Sequence, residues 1–253
     1  MTRVRMILQY DGTNYEGWQR QLTGLGVQQV VEEELTKLTG QKTVVHASGR
    51  TDSGVHALAQ VAHFDTDCRI PPEKFAYALN TGLPADIRVA YSGEAQGFHA
   101  RFDVRRKHYR YCVRNAPHNS PFTRNTALHL YGGLDVAAMN QAAALFLGEH
   151  DFAAFVASGV TPASTVRTLF ESRWTRENGL LVYDVAGSGF LYNMVRILVG
   201  LMLEVGRGRR APESVLTPLK SLSRGDAGPT APACGLTLAR VEYDDFDTKE
   251  YLC

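Results

Sequence analysis

One stretch of the sequence concentrates groups able to do chemistry: Ser48-Gly49-Arg50-Thr51-Asp52-Ser53-Gly54-Val55-His56. Its glycines let the backbone turn sharply or approach a ligand closely, which puts the Asp52 carboxylate on a tight loop beside the Arg50 guanidinium. Such a carboxylate is a candidate catalytic group. It can also be a turn aspartate that bonds its own backbone. A second group lies in Phe190-Leu191-Tyr192-Asn193-Met194-Val195-Arg196, where Arg196 sits in a strongly apolar run that continues through residues 197–203. An arginine there either pairs with a carboxylate from elsewhere in the fold, because a buried unpaired cation is costly, or snorkels at the helix edge. A third is Arg105-Arg106-Lys107-His108-Tyr109-Arg110-Tyr111. Basic side chains interleaved with rings on a strand can hold phosphates while Tyr109 stacks on a base, or the two tyrosines can simply fill a core. Gly24-Leu25-Gly26 lacks the third glycine of a dinucleotide fingerprint, with Val30 where it would fall, and no phosphate-loop sequence appears.

The elements that must position these groups follow from periodicity. Val4, Met6, Leu8 and Tyr10 alternate with polar residues, the pattern of a half-buried strand ending at the Asp11-Gly12 turn. Val30, Val31, Leu35 and Leu38 mark one face of a helix, with Glu32, Glu33 and Glu34 at or beyond its edge. Strands are predicted over residues 43–47 and 60–65 on either side of the Asp52 loop, a helix from Pro72 to Leu79, and a strand through Ile87, Val89 and Tyr91. Further on come a strand carrying Tyr109, Tyr111 and Val113, and a helix capped by Asp135 and running to Phe146. Strands over 168–175 and 180–186, a long helix over 190–205 and a last strand over 236–243 complete the pattern. This reads as two mixed α/β layers joined near residues 98–107, with the Pro- and Gly-rich segment 225–232 as a surface loop.

Composition narrows the class. With 253 residues, 44% hydrophobic and 21% charged, the chain has enough apolar side chain for a packed core in one or two domains. No apolar run approaches the ~20 residues of a membrane span, and the first ten residues lack the apolar core of a signal peptide, so a cytoplasmic protein is expected. Cys68, Cys112, Cys234 and Cys253 are too far apart for a CxxC pair and read as free thiols, mostly core filler. His63 and His99 lack metal-ligand spacing and read as structural or RNA-facing. The net charge is only +1, from 27 basic and 26 acidic side chains, yet the charges are segregated. Arg101, Arg105, Arg106, Lys107, Arg110, Arg114 and Arg124 face a single acid, Asp103, while Arg207, Arg209 and Arg210 form a second basic run. Such stripes suit a phosphate backbone, or are solvated faces.

Taken together, Tyr10-Asp11-Gly12, Gly17-Trp18-Gln19-Arg20-Gln21, the Gly49 to His56 stretch, Phe98-His99-Ala100-Arg101-Phe102, Tyr109-Arg110-Tyr111 and Phe190 to Arg196 resemble, in order, the bacterial tRNA pseudouridine synthase A family. The resemblance covers nearly the whole chain. It implies isomerisation of uridine to pseudouridine at positions 38, 39 and 40 of the tRNA anticodon stem-loop, by a homodimer that uses no cofactor and no metal. It also implies an α+β fold, the pseudouridine-synthase fold, with two similar domains on largely antiparallel sheets, here 1–104 and 105–253. Asp52 falls on the family's catalytic aspartate, Tyr109 on the tyrosine that contacts the target base, Arg196 on the arginine that pairs with the aspartate, and Arg50 on one implicated in extruding the nucleotide. Arg105, Arg106, Lys107 and Arg110 are then candidates for the RNA backbone. Departures are small: Ser53 where alanine is usual, and a short end after Tyr243. A synthase for another RNA site, or a non-catalytic RNA-binding protein on the same fold, is the alternative.

Overall fold

The computed structural model describes residues 1–157, 159 and 161–252, so Cys253 lies outside the described residues. The first part of the chain forms β1 (Thr2–Tyr10), α1 (Val27–Thr39), β2 (His46–Ala47), β3 (His56–Thr66), α2 (Phe75–Asn80) and β4 (Ile87–Glu94). After it come β5 (Arg106–Asn115), β6 (Leu128–Leu130), α3 (Val136–Ala144), β7 (Gly148–Asp151), β8 (Val166–Glu177), β9 (Leu180–Gly187), α4 (Met194–Gly206), α5 (Leu216–Ser221) and β10 (Leu236–Glu242). The class is mixed α+β, as the sequence implies. No helix among the described residues is long and apolar enough to cross a membrane.

Contacts divide the chain into two compact units: Met1–Arg105 together with the stretch from Thr237, and Arg106–Leu236. The sequence assigns everything after residue 104 to a second domain. The difference is β10, which returns to the first unit and pairs in parallel with β3, Thr237 opposite His56 and Leu238 opposite Ala57. Alternating apolar residues mark β10 as a strand but do not name its partner. Parallel strands need a long crossover, and here the whole second unit is the connection.

In unit 1, β1 runs antiparallel to both β3 and β4, and the short β2 pairs antiparallel with β3. β1 was expected to be half-buried; Val4, Arg5, Met6, Ile7 and Leu8 are all buried, because both of its faces are covered. Arg5 is buried between two rings, 3.6 Å from the centre of Phe246 and 4.9 Å from that of Phe98. The predicted strand over 43–47 shortens to His46–Ala47, because the Val45 N–H is taken by the Glu32 carboxylate, 3.1 Å away. Glu32 itself points inward from α1 instead of lying at its edge, and also accepts from Arg20 and Gln28. The sequence pattern missed this because a buried carboxylate with a full set of donors looks polar and exposed.

In unit 2, β9 is antiparallel to β5 and β8, β8 to β7, and β6 is parallel to β5. Asp135 caps α3 as expected, its carboxylate accepting from the Ala138 N–H at 2.9 Å. α4 starts at Met194 and not at residue 190, since Asn193 takes a left-handed conformation (φ 61°) that ends the preceding turn. It is apolar almost all round and correspondingly buried. The 225–232 segment is only in part a surface loop: Gly225, Pro229 and Pro232 are exposed, but Ala227 and Ala231 are buried, and Pro229 crosses α4 so closely that a Cβ on Gly200 would lie 1.9 Å from its carbonyl oxygen. Cys68, Cys112 and Cys234 are free thiols, but only partly buried, so they are not core filler. Burial pushes the Cys112 thiol up to about 11.

Candidate active site

The loop between β2 and β3 is held by three sets of bonds. Beneath it, Gln60 on β3 is fully buried; its side-chain amide donates to the Gly49 carbonyl at 2.8 Å and its Oε1 accepts from Ser48 Oγ at 2.7 Å. The buried Tyr10 hydroxyl at the end of β1 meets Thr51 Oγ1 at 2.8 Å, one residue before Asp52. Burial pushes the Tyr10 phenol far above its usual range, so it stays protonated. On the loop's outer side runs the segment after β1: Trp18 N–H donates to Thr51 O at 3.1 Å and Gly54 N–H to Tyr15 O at 3.1 Å. Gly17, at φ +83°, lies so close that a Cβ there would be 2.5 Å from Thr51 O and 3.0 Å from the Asp52 carbonyl carbon. At the far end the Gly12 N–H donates to Nδ1 of the buried His56 at 3.0 Å. Within this frame Asp52 turns, its carbonyl accepting from Val55 N–H at 3.1 Å. Its side chain is half-buried, with the exposed Arg50 two residues before it. These bonds hold the backbone on either side of Asp52 and so give its carboxylate a rigid support.

The other two candidate groups lie in unit 2. Tyr109 on β5 is buried and meets the Phe190 ring edge to face at 5.1 Å. Arg196, in the first turn of α4, donates from Nε to Ala231 O at 2.8 Å and from a terminal nitrogen to Asn193 Oδ1 at 2.7 Å. The Ala231 N–H returns to Arg196 O at 3.0 Å, and the next residue, Pro232, accepts from the Tyr111 hydroxyl at 2.8 Å. The 229–232 segment is therefore a strap that fixes α4 and β5 together, and with them Arg196 and the strand carrying Tyr109. The arginine is neither snorkelling nor satisfied by charge alone; backbone carbonyl and amide oxygens set its orientation.

The basic stripe separates on inspection. Arg105, in unit 1, forms a bidentate pair with Asp244 at 2.6 and 2.7 Å, and Arg110 is shared between Asp184 (2.9 Å) and Glu177 (3.2 Å). Their charge is largely compensated. Arg106 is exposed with its guanidinium 4.4 Å from the Phe170 ring centre, and Lys107 is half-exposed. In the second basic run, Arg207 and Arg209 both engage Glu204.

Comparison with known proteins bears on what this arrangement belongs to. The family model described as tRNA pseudouridine synthase matches residues 6–103 and 142–244. Those spans hold Asp52 with its supporting frame, and Arg196 with its strap. The chain belongs to the tRNA pseudouridine synthase family. Proteins named tRNA pseudouridine synthase A are similar to it across their full length: one from Ruminiclostridium cellulolyticum is 45% identical over 96% of this chain and 100% of its own. One from Geotalea uraniireducens is 46% identical and one from Acetivibrio thermocellus 44%, each over 96% of this chain and 100% of theirs. Membership makes the chain an isomerase. Tyr10 and Gly17 fall in motifs that carry the family resemblance but had no supporting role attached to them from sequence, and Gln60 and the 229–232 strap were given none either. Gln60, a lone amide within the buried run of β3, was the one visible signal.

Proposed function

We propose that the chain isomerises uridine to pseudouridine at positions 38, 39 and 40 of the tRNA anticodon stem-loop, with Asp52 as the catalytic carboxylate. The observation that carries this is the loop itself: a half-buried carboxylate on a backbone braced from below by Gln60 and Tyr10 and from outside by Gly17 and Trp18. A turn aspartate needs no such frame.

In the reaction the N1–C1′ bond breaks, the uracil turns, and a C5–C1′ bond forms; C5 then loses its proton and N1 gains one, so the product is an isomer. Asp52 acts at the sugar, stabilising positive character at C1′ as a glycosidase carboxylate does. The nucleotide must leave its stack to be reached, at a cost of ~a few kcal/mol. Tyr109 is proposed to face the target base, Arg50 to assist extrusion, and Arg196 to pair with the carboxylate. Arg105, Arg106, Lys107 and Arg110 are assigned to the phosphate backbone, the exposed Arg106 ahead of the carboxylate-bound Arg105 and Arg110. Homodimerisation and a cytoplasmic location belong to the same proposal and rest on the resemblance.

The test is tritium release from tRNA carrying uridine labelled at C5, comparing the natural chain with Asp52→Asn. Release by the natural chain alone, with tRNA binding retained in the variant, is the expected result. A variant that releases tritium at the natural rate overturns the assignment of Asp52. A natural chain that binds tRNA but releases nothing makes it a binding protein.

A further inference from the structure

The Phe98-His99-Ala100-Arg101-Phe102 stretch takes no part in the chemistry above, yet it is built with care. It forms a turn in unit 1 after β4. The His99 ring is locked from one side, its Nδ1 accepting the Arg101 and Phe102 backbone N–H groups at 3.2 and 3.3 Å, while the His99 backbone N–H donates to Asp103 Oδ2 at 2.6 Å. Behind His99 stands the buried His63, edge-on at 4.7 Å and anchored by Ala100 N–H donating to its Nδ1; His46 stacks on His63 at 5.2 Å. In front, the Phe102 ring lies nearly parallel to His99, centres 4.2 Å apart and planes 27° apart, and is 74% exposed. Arg101, also exposed, holds its guanidinium 5.8 Å from that ring. The imidazoles stack or meet edge-on rather than converging, and no group among the described residues is placed to hold a metal ion.

We infer that Phe102, backed by His99 and flanked by Arg101, is a stacking platform for a nucleobase of the substrate RNA outside the reacting nucleotide. An exposed aromatic side chain on a mobile loop would lose much freedom on binding; here the ring is already stacked and its turn already bonded, so a base adds to an existing pile. Arginine beside the ring supplies the attraction for the adjoining phosphate that an apolar protein surface would not want. The platform lies across the sheet from the Asp52 loop: His63, against which it rests, is three residues along β3 from Gln60, which supports that loop, and so points to the opposite face. It therefore touches a nucleotide well removed from the one at Asp52, and acts on binding alone.

This inference rests on the proposed tRNA reading, and the experiment separates the two. Phe102→Ala and Phe102→Trp are compared with the natural chain for affinity to an unmodified tRNA transcript, for steady-state tritium release, and for oligomeric state. Phe102→Ala is expected to weaken binding and raise KM about tenfold with kcat unchanged, and Phe102→Trp to restore both. Because the side chain is exposed, the fold and its thermal midpoint are expected to be unaltered. Equal affinity in Phe102→Ala, with the natural chain turning over, overturns the platform and leaves the catalytic proposal standing. A change in oligomeric state without loss of tRNA affinity also overturns it, in favour of a contact between copies. If the natural chain binds tRNA in a Phe102-dependent way but releases no tritium, the platform stands and the catalytic proposal falls.

Discussion

Replacing Gly17 by alanine tests whether the segment after β1 positions Asp52 or merely passes by it. The added Cβ would sit 2.5 Å from Thr51 O, and ordinary contact begins at 3.4 Å, so the two backbones must part by about 0.9 Å. Thr51 O is also the acceptor of the Trp18 N–H, so the shift opens that bond as well. The left-handed conformation at φ +83° costs an alanine a further ~1–2 kcal/mol, which the chain can relieve only by moving the same segment. Misplacement of a catalytic group by ~1 Å is worth about 10²-fold in rate. Gly17→Ala is thus expected to lower kcat for tritium release about 10²-fold, to leave tRNA affinity within about threefold, and to cost ~1–3 kcal/mol of stability in urea unfolding. A variant that loses this stability yet keeps the natural kcat would refute the reasoning: the loop would then hold Asp52 without its outer brace.

Two further outcomes follow from contacts described above. Gly200→Ala gains helix propensity of ~1 kcal/mol but drives a methyl group into Pro229 O, so a net loss of ~1–3 kcal/mol and a lower unfolding midpoint are expected; equal or greater stability would mean that the strap can lift freely. Burial, reinforced by nearby Arg3 and the neighbouring imidazoles, holds His63 down at about 4 against an ordinary 6.5, so the unfolded chain binds the proton first. Its contribution to stability is whole above pH 6.5 and is lost as pH falls toward 4. His63→Asn, which keeps an acceptor for the Ala100 N–H, is expected to flatten the drop in thermal midpoint across that window, and an unchanged slope would assign the drop to other groups.

The chemistry of this chain was far more legible than its mechanical support. The Asp52 loop and the strands beside it stand out because glycine, arginine and aspartate in that spacing are rare outside turns and sites. Asp135 announced its helix because a capping carboxylate has a fixed relation to the N–H it accepts. What stayed hidden was partnership. Glu32 looked like a surface acid because its donors come from Arg20, Gln28 and Val45, none of which its own helix pattern reveals. The buried Ala227 and Ala231 within the partly exposed 225–232 segment stayed hidden because Pro and Gly report backbone conformation and not burial. The start of α4 was placed four residues early, since Phe190 and Leu191 continue its apolar pattern and only the left-handed Asn193 interrupts it. The strand at 60–65 began four residues sooner, at His56, because β3 is buried on both faces and does not alternate.

The return of β10 to β3 has a consequence for how the chain is made. Synthesis proceeds from the N-terminus, and the ribosome delivers Asp52, Tyr109 and Arg196 well before it delivers Thr237. Until residues 237–246 emerge, β3 lacks its parallel partner on the edge away from β1, Tyr243 cannot reach the Ala100 carbonyl, and Arg5 lacks the Phe246 ring that covers it. A nascent or prematurely ended chain thus holds every chemical group named above on an unfinished scaffold. The sheet of unit 1 is therefore completed only after the whole of unit 2 has been translated, so a message broken before Thr237 yields a chain whose first unit is unfinished.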